Sequence, residues 1–136
     1  MGFNARFVLA QILGIAIAVA IGGSGFFLLR NLWPDYAVAV PEKAYTLAML
    51  IARLSLGVVA TAVAAWVATS VAGDKGRAAC WIGGLFLAVS LPNHLFVVWD
   101  DYPVWYHAVY LAYLVPIAGL TGRGVSNWQD GQKGKS

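Results

Sequence analysis

Long apolar stretches separated by short polar ones set the pattern of this chain. A helix that crosses a bilayer needs about 20 consecutive apolar residues, and the pattern meets that length four times. It predicts helices over about 7–29, 41–72, 79–99 and 104–121. Arg30 closes the first. The second is expected to open at Pro41, because proline suits a first helical turn and Glu42 complements the helix dipole there. It should end at Gly73, which can take a left-handed cap. Between these two helices, 31–44 reads as a loop carrying Trp33-Pro34-Asp35-Tyr36. Pro92 and Pro116 remove helix hydrogen bonds to the carbonyls of Ala88 and Ala112 and are expected to kink their helices. The stretch 122–136 is glycine-rich and polar without apolar periodicity, and reads as a disordered tail.

Composition turns this pattern into a class. The chain is 60% hydrophobic and only 11% charged, whereas soluble domains average about 25% charged residues. The expected fold is an all-α integral membrane four-helix bundle forming one domain, with the lipid bilayer as its main partner and no nucleic acid. The first apolar run exceeds the roughly 7–15 residues of a cleavable signal segment, so it reads as a retained membrane helix. The sole cysteine, Cys80, can form no internal disulfide. No phosphate-binding loop, nucleophile elbow or zinc-protease motif occurs, and the sequence assigns no cofactor and no metal.

Charge placement orients the bundle. Arg6, Lys75, Arg77, Arg123, Lys133 and Lys135 fall on one side of the predicted spans. Arg30 and Lys43 fall on the other, with Asp35, Glu42, Asp100 and Asp101. Because cytoplasmic loops carry the excess of Lys and Arg, both termini are expected in the cytoplasm. Trp33, Tyr36, Tyr45, Trp99, Tyr102, Trp105 and Tyr106 then form an aromatic belt at the outer surface. Small residues recur every four positions, at Ala10, Gly14, Ala18 and Gly22 and at Ala60, Ala64, Ala68 and Ala72. That spacing lets helix backbones approach closely where lipid supplies no hydrophobic drive.

One region concentrates the unusual chemistry. At 1.5 Å per residue, Arg53, His94 and His107 fall at similar depth in the outer leaflet, beneath the Asp100-Asp101 turn, with His94 about 7 Å inside the boundary. Ionisable residues at such depth often mark a site or pathway. Arg53 can bind an anionic head or carboxylate, a histidine can shuttle protons, and Asn93 and His94 can line a cavity beyond the Pro92 kink. The same residues also have plain structural readings. Arg53 can snorkel to the interface, His94 can bond Ser90 or a carbonyl, His107 can sit among the headgroups, and the aspartates can solvate the turn. The two histidines could share a metal with Asp100 or Asp101, although no spacing here is diagnostic. The sequence leaves these readings open.

Tyr102-Pro-Val-Trp-Tyr-His107, Leu114-Val-Pro-Ile-Ala-Gly-Leu-Thr-Gly-Arg123 and Ala52-Arg53-Leu-Ser-Leu-Gly-Val-Val carry a resemblance. They are similar to the last and second spans of a group of small four-span bacterial inner-membrane proteins with no assigned activity. The resemblance implies the topology and a multi-pass place in the bacterial inner membrane, and supplies no chemistry. Small multidrug exporters resemble the chain in size only. They depend on an acidic residue in the first span, where this chain has Gln11 and Ser24 as its polar side chains.

Three functions follow as expectations. The leading one is a non-enzymatic accessory or scaffold protein, packing through its small-residue faces with a second copy or a larger membrane protein. The second is a transporter or binder of a small anion or lipid headgroup, using Arg53 and His94 with Asn93, His107, Asp100 and Asp101. The third is a metal-dependent or redox membrane protein.

Overall fold

The computed structural model describes residues 4–134, which form five α-helices and no strand. They are α1 (Ala5–Leu32), α2 (Pro34–Glu42), α3 (Leu47–Ala72), α4 (Arg77–Pro92) and α5 (Val104–Lys133). A π-helical turn, Asn93–Val97, continues α4, and a 3-10 turn, Trp99–Asp101, leads towards α5. Four segments are long and apolar enough to cross a membrane: Ala5–Leu32, Leu47–Ala72, Arg77–Val97 and Val104–Lys133.

Local chemistry explains most of the boundaries. The Asn4 side chain accepts a hydrogen bond from the Phe7 amide at 2.8 Å and caps α1. Thr46 does the same for α3 through the Met49 amide, at 3.4 Å. Gly73 ends α3 in the left-handed region at φ 65°, its N–H bonded to the Thr69 carbonyl at 2.9 Å, as the sequence predicts.

The stretch 31–44 is not a plain loop. Pro34, rather than Pro41, stands at a first helical position, with Asp35 in the first turn, and Pro41 lies near the end of α2. The expected helix start at Pro41 is therefore corrected to Leu47. The cause is tertiary: Tyr36 and Ala39 are buried and pack with Met49, Phe26 and Leu29, which anchors α2 across the bundle end. The expected disordered tail is also corrected, since α5 continues to Lys133. Gly122, Val125 and Ser126 are buried, and Ser126 Oγ donates to the Gly122 carbonyl at 3.0 Å. Packing against the start of α4 overrides the weak helix propensity of this glycine-rich stretch. Residues 135–136 lie outside the described residues.

The helices run in alternating directions around α3, which packs against α1, α4 and α5. Arg6 Nε donates to the carbonyl of Val71 at the end of α3. Gln11 Nε2 donates to the Ala78 carbonyl at 3.2 Å, and a Cβ added to Gly76 would come within 2.9 Å of the Gly122 backbone. Thus the start of α1, the end of α3, the start of α4 and Gly122 all lie at one end of the bundle. That end is closed by small residues. A Cβ on Gly14 would lie 2.9 Å from Ile82 Cδ1 and 3.1 Å from the Ala64 carbonyl, and one on Gly83 2.8 Å from the Ala118 Cβ. Ala64, Ala65, Ala68, Ala79 and Ala118 are fully buried there.

The small-residue series on α1 does not continue as a contact. A Cβ on Gly22 would meet nothing within 4 Å. Gly14→Leu should therefore lower stability by about 1–3 kcal/mol through overpacking, while Gly22→Ala should leave it unchanged or slightly raised. Thermal unfolding in mild detergent separates the two, and equal midpoints would contradict this packing.

Candidate functional site

Arg53 sits about 9 Å along α3 from Leu47 at 1.5 Å per residue, and aromatic groups from four elements surround it. Its Nη1 donates to the Tyr36 hydroxyl at 2.6 Å. Its guanidinium carbon lies 5.4 Å from the ring centre of Phe26, 5.4 Å from that of Tyr45 and 5.1 Å from that of Tyr102. Tyr106 also interacts with it. Aromatic faces attract a guanidinium through their quadrupole, by about 0.5–2 kcal/mol each, and this replaces part of the lost hydration. No carboxylate among the described residues forms an ion pair with it, and its Nε is buried without a hydrogen-bond partner.

Tyr36 explains why α2 exists. The side chain is 0% exposed, held edge-to-face on Phe26 at 6.2 Å between ring centres and tilted against Trp33 and Tyr45. Burial raises its pKa, against the opposing hydrogen bond and charge of Arg53. Burial likewise raises that of Tyr102, again opposed by the Arg53 charge. Both phenols stay neutral beside the cation. Outside them, Lys43 forms a salt bridge with Asp101, tying the end of α2 to the 3-10 turn.

Below Arg53 lies a cavity of about 500 Å³ between α1, α3, α4 and α5. Its lining is mainly aliphatic and aromatic, including Ile15, Gly22, Leu56 and Phe86, with hydroxyls from Thr61, Ser90, Tyr106 and Tyr110, and Arg53 is the one charged residue in it among the described residues. Val19 and Val89 flank it from α1 and α4 and are 68% and 66% exposed, so the cavity opens sideways between these helices.

A second feature stands beside the first. His94 Nδ1 and His107 Nδ1 are 2.8 Å apart, and His107 Nε2 faces the carbonyls of Trp99 at 3.1 Å and Tyr102 at 3.2 Å. Carbonyls only accept, so His107 carries a hydrogen on Nε2, and with the ring neutral its Nδ1 is the acceptor. His94 must then donate from Nδ1. Both rings are clamped, His94 on Tyr110 at 4.4 Å and His107 on Trp99 at 4.9 Å. The π-helical turn, closed by the Val98 N–H to the Asn93 carbonyl at 3.1 Å, swings His94 inward.

Of the residues singled out from the sequence, Arg53 and the two histidines share Tyr106 as a neighbour, and Arg53 and His107 also share Tyr102. Asn93 and Asp100 are exposed and Asp101 is engaged with Lys43, so these three do not join the group. Among the described residues no set of three or more His, Cys, Asp or Glu side chains is placed to share a metal. Pro92 ends α4 where the π turn begins, whereas α5 runs unbroken through Pro116. Ala60, Ala64 and Ala68 are buried within the chain, and Ala18 and Gly22 line the cavity. Tyr36, Phe26, Tyr45 and Tyr106 are additions to the predicted site. Their aromatic belt positions were the available signal, but nothing in their spacing aims them at Arg53. No family model, curated protein or solved structure matches this chain.

Two outcomes follow. Unfolded tyrosine ionises near 10.0, while native Tyr36 and Tyr102 hold their protons to higher pH. Their contribution is therefore complete below about pH 10 and lost as pH rises above it. Unfolding midpoints should fall as pH rises above about 10, less steeply in Tyr102→Phe; parallel curves would contradict the assignment. At neutral pH, nitrogen NMR should find His107 protonated on Nε2 and His94 on Nδ1, and the opposite tautomers would refute the relay of hydrogen bonds. His107→Phe, which strands two carbonyls, should cost about 1–3 kcal/mol in the same unfolding assay.

Proposed function

We propose that this chain is a multi-pass protein of the bacterial inner membrane, with cytoplasmic termini, that binds a small anionic molecule with an apolar body. The observation that carries this reading is Arg53: a half-buried cation with an unpartnered Nε, lining a mainly apolar cavity of about 500 Å³. Small-molecule pockets span about 300–1,000 Å³ and combine an apolar lining with a few polar groups that fix orientation. An arginine inside a membrane is costly and faces the bundle or a cavity. Among the described residues no acid pairs with it, so a ligand's negative charge would complete it.

The scaffold reading has less support from the packing. Gly14, Ala60, Ala64 and Ala68, the residues expected to meet a partner, are used in contacts within the chain. Metal or redox chemistry has less again, since Asp100 and Asp101 stand apart from the histidine pair.

In neutral-lipid nanodiscs, dansyl-labelled undecanoate should bind saturably, and its uncharged amide should bind far more weakly. Arg53→Met should weaken the acid about 10- to 100-fold, the loss of a charge-assisted hydrogen bond of about 1.5–3 kcal/mol. Equal affinity of wild type and Arg53→Met for the acid, with both proteins folded, would refute the reading.

A further inference from the structure

Resting on that reading, we propose that the anion binds together with one proton, which the His94–His107 pair takes up at Nε2 of His94. Three of the four ring nitrogens in this pair are engaged. Nδ1 of His94 donates to Nδ1 of His107 at 2.8 Å, and Nε2 of His107 faces the carbonyls of Trp99 and Tyr102. Nε2 of His94 is the fourth, and in this tautomer it carries no hydrogen. A proton added there leaves every hydrogen bond of the pair in place. Its charge is shared between the rings, because the bridging hydrogen can sit on either Nδ1. A second proton has only the Nδ1–Nδ1 contact to enter, where two N–H groups would meet head-on. The carbonyls beyond His107 accept a hydrogen and supply none, so the pair stores its proton rather than passing it on. His94 and His107 are 7% and 2% exposed, and stacking on Tyr110 and Trp99 holds both rings in place.

Charge couples the pair to the cavity. Tyr106 and Tyr110 line the cavity and stack on His94, at 6.3 Å and 4.4 Å between ring centres. Tyr106 also hydrogen-bonds Arg53, which interacts electrostatically with His94. The titratable and charged groups around the pair are thus Arg53 from α3, Tyr106 and Tyr110 from α5, and Tyr102 beside His107. On the 3-10 turn, Asp100 is exposed and Asp101 is held by Lys43. Among the described residues no acid forms an ion pair with either histidine.

A protonated pair therefore meets Arg53 as a second cation in a poorly solvated interior, which is unfavourable. An anion seated at Arg53 cancels one of the two charges. The pair then holds its proton more readily, and by reciprocity the anion binds more tightly to the protonated pair. Rising pH would release both.

The test uses decanesulfonate, an alkyl anion that stays ionised throughout the histidine range, with the full-length protein in neutral-lipid nanodiscs from about pH 5 to pH 9. Calorimetry in two buffers of different ionisation enthalpy counts the protons taken up per anion bound. Uptake should pass through a maximum with pH and never exceed one. Affinity should fall as pH rises, by at most about tenfold per pH unit and by about 5- to 150-fold in all. Nitrogen NMR should find Nε2 of His94 protonated in the complex at a pH where it is bare in the free protein. His94→Asn/His107→Gln keeps side-chain N–H groups near the positions of His94 Nδ1 and His107 Nε2 but removes both titrating rings. It should bind the sulfonate without proton uptake and with an affinity independent of pH. Saturable binding to the wild type with no proton uptake at any pH overturns the coupling and leaves the anion reading standing. So does a wild-type pH response in the double variant. Uptake of more than one proton overturns the single store. Absence of saturable binding at every pH overturns both the coupling and the anion reading.

Discussion

Holding one guanidinium away from water is the constraint around which half of this structure is arranged. Arg53 stands on α3, the helix that packs against α1, α4 and α5, and a bare cation there would be strongly unfavourable. The chain brings Phe26 from α1, Tyr36 from α2, Tyr45 from the turn before α3 and Tyr102 from the turn before α5 to surround it. Non-local packing thus turns a polar residue into a link between the ends of several helices. The compensation is incomplete at Nε, and Arg53 also lines the cavity.

The opposite end works by another rule. Glycine and alanine let α1, α3, α4 and α5 approach until backbone atoms touch, as at Gly14 with Ala64 and at Gly76 with Gly122. Dispersion and close packing do the work that water would do for a soluble core. Between this seam and the aromatic groups around Arg53 lies the cavity, lined by residues of α1, α3, α4 and α5.

Much of this was legible in the sequence. Four apolar runs of sufficient length, the Gly73 cap and the small-residue contacts at Gly14, Ala64 and Ala68 follow from periodicity and local chemistry. Arg53, His94 and His107 were marked by depth alone. What could not be read depends on distant partners. Helix α2 is held by Tyr36 beneath residues of α1 and α3, and the end of α5 by the small-residue seam with α4. Gly14 and Gly22 look identical in the repeat, yet only one faces a neighbour. Direct pairing of the histidines required the π turn after Pro92, which rotates His94 inward while leaving Asn93 outside.

The central claim is that Arg53 holds an anion supplied from outside the chain. Native mass spectrometry of the protein released from its membrane, beside Arg53→Met, tests this most directly. The wild type should retain one acidic amphiphile per chain that the variant has lost, with both remaining folded. Identical adducts on the two proteins would contradict it.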